Sequence, residues 1–132
     1  MMIVELFDIP KPEQINTPHG RIYRIPISNK FYPSVSTILG SRPNIFIDQW
    51  KKAVGDTVAA RISKAATDSG TLVHDSIENF ILTGRNTEFS MFQKRERDVF
   101  YGVKSYISTL EKVFCLETPM WSDTLRVAGT VD

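Results

Sequence analysis

The chain has 132 residues, of which 42% are hydrophobic and 23% charged, so its composition is that of one globular domain and not of a collagen-like or low-complexity chain. Sixteen basic and fifteen acidic residues leave a net charge of +1, so the overall charge gives no preference for nucleic acid. The single cysteine, Cys115, excludes an internal disulfide, and no apolar run reaches the roughly 18 residues of a membrane span; we therefore expect a cytoplasmic protein without a membrane segment.

The first 30 residues predict a small β-hairpin joined to the main body. Residues 3–7 alternate enough to predict a short strand, and residues 11–20 are rich in turn-forming residues. Residues 21–27 alternate as a second strand, in which Pro26 favours an edge position. We therefore expect an appendage at 1–30, followed by the main domain at 31–132.

Helical patterns fill most of the middle of the chain. Ser34 is expected to cap a short helix that ends at Gly40. Gly70 is expected to break or kink a longer helix, because glycine costs about 1 kcal/mol in a helix interior, and Gly84 is expected to end the helix that follows. The predicted helices are 34–40, 44–55, 56–68, 71–82 and 88–114.

The period changes after Phe114. Residues 116–122 and 125–131 predict two strands joined by a turn, which together form a hairpin. A lone two-stranded hairpin is marginally stable in water, so we expect helices or further strands to cover it. Helices followed by strands predict an α+β fold.

One imidazole lies where the apolar context makes it a candidate metal ligand. His74 precedes Glu78 by four residues, so the two side chains share one helix face, and Val73 and Ile77 predict that part of this helix is buried. Such a histidine binds a metal through one ring nitrogen, or is a hydrogen-bonded residue at the edge of the core. The residue pattern leaves both possibilities open.

Two carboxylates are the other candidates. Asp132 follows the apolar strand 127–131, and the predicted hairpin brings Glu117 to the same side of the sheet. Two carboxylates with one imidazole suit Mg²⁺ or Mn²⁺ better than a structural zinc site. The alternative is that both acids are ordinary exposed residues of a strand.

Three segments resemble one family when they are taken in order. Residues 70–84, GTLVHDSIENFILTG, resemble the helix motif of RecB-type nucleases, and residues 116–132 resemble the hairpin that follows it, with its small-Gly-Thr-apolar-Asp strand. Residues 32–39, YPSVSTIL, are similar to an element of phage and mitochondrial-genome-maintenance-type exonucleases. Residues 31–132 thus resemble the PD-(D/E)XK nuclease superfamily.

The resemblance implies a divalent-metal-dependent DNA exonuclease or endonuclease of a bacterium or phage-infected host. It implies that His74 and Asp132 bind Mg²⁺ or Mn²⁺, that Glu117 and Asp132 are catalytic, and that the hairpin begins a restriction-endonuclease-like sheet. Recombination, repair or degradation of host DNA would suit such an enzyme. The expected DNA contacts, at ends or single strands, are Lys51, Lys52, Arg61, Lys64, Ser34 and Thr37; for the basic residues, solvated helix faces are the alternative.

In this family the hairpin is followed by a strand that carries (Asp/Glu)-x-Lys and by a helix with Gln-x-x-x-Tyr. Neither motif occurs in the expected place here, because Asp132 is the last of these 132 residues. We therefore expect the front part of an incomplete α/β nuclease core, truncated or split, which alone binds metal weakly or not at all and cleaves DNA poorly or not at all. A second chain, or a second copy, is expected to pair with the edge of the strand 125–131. The alternatives are a non-catalytic DNA-binding relic and a protein-interaction module.

Overall fold

The structure is a computed structural model that describes residues 2–132 and has an α+β fold, as predicted. The strands are β1 (Ile3–Val4), β2 (Glu13–Thr17), β3 (Gly20–Arg24), β4 (Phe31–Pro33), β5 (Lys112–Val113), β6 (Thr118–Ser122) and β7 (Val127–Val131). The helices are α1 (Val35–Gly40), α2 (Ile45–Val54), α3 (Asp56–Thr83) and α4 (Lys94–Ile107). Of the helices that residues 2–132 form, none combines the length and apolar character that a membrane crossing requires.

The chain divides into two compact units. The helical unit combines β1 with Ile45–Val113, and the sheet unit combines Glu5–Asn44 with Phe114–Asp132. A hairpin lies within 1–30, but it consists of β2 and β3 and not of the predicted strands 3–7 and 21–27, because Ile3–Val4 pairs with β5. In addition, β4 pairs with β3 and extends the same sheet past residue 30. The grouping of the chain therefore follows strand pairing and not the predicted boundary.

The helical unit is built around α3, a helix of 28 residues. The prediction of a break near Gly70 is wrong, because α3 continues through this residue. The cost of about 1 kcal/mol for one glycine is offset by contacts with α4, among them a hydrogen bond of 2.7 Å from Ser69 to Glu96. The predicted end at Gly84 is confirmed: Gly84 has a left-handed φ of 72° and its N–H bonds to the carbonyl of Phe80.

The helix predicted at 88–114 is shorter in the structure. A single 3-10 turn at Met91–Gln93 precedes α4, which ends at Ile107. Beyond it, Lys112–Val113 forms β5 and pairs in parallel with Ile3–Val4. The helical periodicity of the sequence continues through residues 108–114. Lys112–Val113 nevertheless forms a strand, because it pairs with residues more than 100 positions away.

The sheet unit contains an antiparallel sheet in the order β2-β3-β4 and the antiparallel hairpin β6-β7. The hairpin is confirmed, whereas the turn-rich prediction for residues 11–20 is wrong where β2 forms. The polar residues of β2 pair with β3 from Glu13 opposite Arg24 to Thr17 opposite Gly20. The core of the unit consists of Tyr23, Ile25, Tyr32 and Ala128, with Trp121 packed against it.

The short helix α1 begins and ends as predicted. The Ser34 hydroxyl accepts a hydrogen bond of 2.9 Å from the backbone N–H of Thr37, and Gly40 is the last helical residue. Ser34 also forms an isolated parallel bridge with Ala128 of β7. This bridge connects the three-stranded sheet to the hairpin.

Candidate metal centre

Two predicted carboxylates meet at the open end of the β6-β7 hairpin. The register pairs Thr118 with Val131, so Glu117 and Asp132 are the next residues outward on the two strands. A carboxylate oxygen of Glu117 and one of Asp132 lie within 4.8 Å of each other, and both side chains are exposed. The structure therefore brings these two residues together, as the predicted hairpin requires.

The backbone of Glu117 has an uncommon conformation. Its φ of 44° lies in the left-handed region, which non-glycine residues seldom occupy and which is enriched at functional sites. The next residue, Thr118, is buried, and its hydroxyl bonds to the carbonyl of Leu116 at 3.0 Å. These contacts hold the turn of the chain that positions Glu117 at the start of β6.

The third candidate, His74, lies on α3 in the helical unit and is exposed. It lines a cavity of about 560 Å³ that also contains Val73, Arg95 and Glu96. His74 belongs to a different unit from Glu117 and Asp132, so its role as a metal ligand stays a prediction.

The carboxylates of Glu117 and Asp132 are donors that fit a hard divalent cation. Mg²⁺ prefers oxygen ligands at about 2.1 Å in octahedral geometry, which places neighbouring ligand atoms about 3 Å apart and opposite ones about 4 Å apart. The two carboxylate oxygens lie no more than 4.8 Å apart, which is close to this range. Small side-chain adjustments would therefore let Glu117 and Asp132 ligate one ion.

A cleft of about 720 Å³ in the sheet unit runs beside the two carboxylates. Glu117 and Asp132 line it together with Arg21, Trp121 and Tyr23. The Tyr23 hydroxyl forms a hydrogen bond of 3.0 Å with the hydroxyl of Thr130, which connects β3 to β7. The sequence patterns do not identify Arg21 as a site residue. The feature that could have indicated it is a basic residue at the start of an alternating strand.

The predicted basic contacts are exposed on helices of the helical unit. Lys51 and Lys52 lie in the last turn of α2, and Arg61 and Lys64 lie on α3. Lys64 forms an ion pair of 2.6 Å with Asp68, one turn further along the helix. Within residues 2–132, the other three of these four cations form no ion pair.

The predicted contacts Ser34 and Thr37 have structural roles in the sheet unit. Ser34 is buried, and its hydroxyl lies 2.8 Å from that of Thr37. The Thr37 hydroxyl accepts a hydrogen bond from the backbone N–H of Arg21 and donates one to the carbonyl of the same residue, both at 3.0 Å. Through these hydrogen bonds the two hydroxyls connect α1 to β3.

Comparison with known proteins identifies no relative: no protein-family model, no curated protein and no solved structure gives a significant match. The likeness to PD-(D/E)XK nucleases thus rests on the three sequence motifs alone. What that likeness implies about activity is a proposal.

Proposed function

We propose that the chain is the metal-binding portion of a divalent-metal-dependent DNA nuclease, which hydrolyses phosphodiester bonds. The observation that carries this proposal is the juxtaposition of Glu117 and Asp132 at the open end of the hairpin. The resemblance motifs contain both residues, and strand pairing alone brings them together. The uncommon backbone of Glu117 adds support, because such conformations are enriched at functional sites.

In the proposed site, Glu117 and Asp132 would hold Mg²⁺ or Mn²⁺, and the resemblance to PD-(D/E)XK nucleases implies His74 as a further ligand. A bound divalent ion would activate a water molecule and stabilise negative charge on the scissile phosphate. The two carboxylates that would hold the ion line the cleft. The cleft itself is large enough, at about 720 Å³, to accept one nucleotide of a DNA strand.

The acid-x-lysine pair of the resembled nucleases does not follow the hairpin within these 132 residues. We propose that another polypeptide segment or chain supplies it by adding a strand beside β7. The bridge between Ser34 and Ala128 occupies part of that edge. An added strand would therefore pair with the remainder of the edge, Gly129–Val131.

The metal site is tested by measuring Mn²⁺ binding with electron paramagnetic resonance. The wild-type chain is expected to bind Mn²⁺, Asp132→Asn to weaken binding at least tenfold, and His74→Ala and Glu117→Gln to weaken it measurably. Asp8→Asn, which removes an exposed carboxylate of the same unit, is the matched control and should bind as the wild type does. Equal binding by Asp132→Asn and Asp8→Asn would refute the metal site.

The activity is tested with labelled single-stranded and double-stranded DNA in Mn²⁺ and in Mg²⁺. The chain alone is expected to cleave little, and a mixture with a polypeptide that carries the acid-x-lysine strand is expected to release nucleotides. Asp132→Asn should abolish cleavage by the mixture. Salt-sensitive DNA binding that survives both a chelator and His74→Ala, without metal binding, would instead favour the non-catalytic alternative.

A further inference from the structure

A second cavity of the sheet unit lies at the turn end of the hairpin, on the end opposite Glu117 and Asp132. Its volume is about 710 Å³. One wall comes from β4 and the residue before it, and the other from the turn between β6 and β7. The lining residues are Lys30, Phe31, Tyr32, Pro33, Asp123 and Arg126.

The charge of this cavity is positive. Lys30 and Arg126 are cations, and neither forms an ion pair within residues 2–132. The only acid in the lining, Asp123, accepts a hydrogen bond of 2.6 Å from the buried phenol of Tyr32. The two cations are thus available to an anionic ligand, while Asp123 is engaged by the protein.

An aromatic ring lies beside the two cations. Alternation along β4 buries Tyr32 and leaves Phe31 57% exposed. Exposed aromatic rings next to basic side chains are the arrangement with which proteins bind single-stranded nucleic acid, since bases stack on the rings and phosphates contact the cations. The exposed part of the Phe31 ring is therefore available for stacking.

The turn holds Arg126 in an uncommon backbone conformation. Its φ is 53°, in the left-handed region, and the Ser122 hydroxyl accepts a hydrogen bond of 3.1 Å from the N–H of the neighbouring Leu125. Holding a residue with a Cβ in this region costs about 1 kcal/mol or more. The fold maintains this conformation at the residue that brings the guanidinium to the cavity.

From these observations we propose that the cavity binds single-stranded DNA, with a base stacked on Phe31 and phosphates contacted by Lys30 and Arg126. The inference rests on the proposed function and extends its substrate contacts. Asp132 lies six positions beyond Arg126, which corresponds to about 20 Å along an extended strand. A single strand of DNA a few nucleotides long would cover this distance.

The test measures binding of a fluorescent oligothymidine by anisotropy, with the full chain and with EDTA present so that metal binding plays no part. The variants are the double change Lys30→Gln with Arg126→Gln and the single change Phe31→Leu. The matched control is Lys11→Gln with Arg42→Gln, which removes two exposed charges of the same unit outside the cavity. Circular dichroism and thermal unfolding verify that each variant folds.

Loss of one stacked base is expected to weaken binding by Phe31→Leu about fivefold or more. Removal of two phosphate contacts is expected to lower the slope of log affinity against log salt by about 1.4. The control double variant should change both quantities less. Cavity variants that bind oligothymidine no more weakly than the control, with an unchanged salt slope, would overturn the inference.

A photo-crosslink provides a second readout that does not depend on the variants. Oligonucleotides that carry 5-iodouracil are expected to crosslink to the peptide that contains Phe31, and a crosslink confined to other peptides would contradict the proposal. The outcomes also separate the two proposals. If Mn²⁺ binding fails while the cavity governs oligothymidine binding, the proposed nuclease function falls and the strand-binding site stands; the reverse result removes only the strand-binding site.

Discussion

The phenol of Tyr32 donates a hydrogen bond of 2.6 Å to a carboxylate oxygen of Asp123, which lies 91 positions later in the chain. The bond ties β4 to the turn of the β6-β7 hairpin. Because the carboxylate accepts a hydrogen bond from the phenol, it favours the neutral phenol and raises the pKa of Tyr32 above its ordinary value of 10.0. Burial and the charge of Asp123 act in the same direction.

This relationship predicts a specific dependence on alkaline pH. The contribution of the bond to stability is complete below pH 10, because the phenol is then protonated in both states, and it is lost as the pH rises through the raised pKa of the folded state. Tyrosinate absorbance, taken as the difference between the wild type and Tyr32→Phe, should titrate above pH 10. Asp123→Asn should move this titration toward 10, and an unmoved curve would contradict the assigned bond.

Ser34 is predicted to contribute to stability whatever its role toward DNA. Ser34→Ala removes the cap of α1 and leaves the N–H of Thr37 without its acceptor. We expect a loss of about 1 kcal/mol in the free energy of unfolding, measured in urea. Ser36→Ala, at an exposed position of the same helix, is the matched control and should change it by less than about 0.5 kcal/mol.

Two glycines of the helical unit should respond to alanine in opposite directions. A Cβ at Gly70 meets nothing within 4 Å, and the residue lies inside α3, so Gly70→Ala should stabilise by about 0.5–1 kcal/mol. Gly84 also has open space but a φ of 72°, so Gly84→Ala should destabilise by about 1 kcal/mol or more. Urea unfolding measures the change in the free energy of unfolding for each variant. Changes of the same sign in both variants would contradict the described helix end.

Phe100 is predicted to be the most sensitive aromatic residue of the helical unit. It is fully buried, and Phe80 and Phe89 pack their rings against it. Phe100→Ala should lower the free energy of unfolding by about 3–5 kcal/mol. Phe92→Ala removes a ring that is 90% exposed, so it should cost less than about 0.5 kcal/mol and controls for the loss of an aromatic residue.

The sequence predictions are accurate where the interactions connect residues that are close together in the chain. The cap at Ser34, the helix end at Gly84 and the hairpin at the C-terminal end depend on residues close together in the chain, and all three are confirmed. The strand β2 was missed because its residues are polar and β3 alone makes it a strand. The continuity of α3 through Gly70 was missed because packing against α4 outweighs local propensity.

The two sites of the sheet unit differ in how far their residues can be predicted from the sequence. The meeting of Glu117 and Asp132 was predictable because a short turn fixes the register of the hairpin. The cavity at the other end combines Phe31 with Arg126, whose separation in sequence leaves no periodic signal, and a left-handed arginine has no signature in composition. Only the folded chain shows that cavity.

The division of the sheet unit between Glu5–Asn44 and Phe114–Asp132 determines when it can form during synthesis. The hydroxyl of Tyr23 bonds to Thr130, 107 positions later, so the ribosome must have added Thr130 before this contact can form. Helices α2 to α4 emerge earlier and contact one another locally. We therefore expect the helical unit to acquire structure first, and the sheet unit to close slowly because its contacts span long loops.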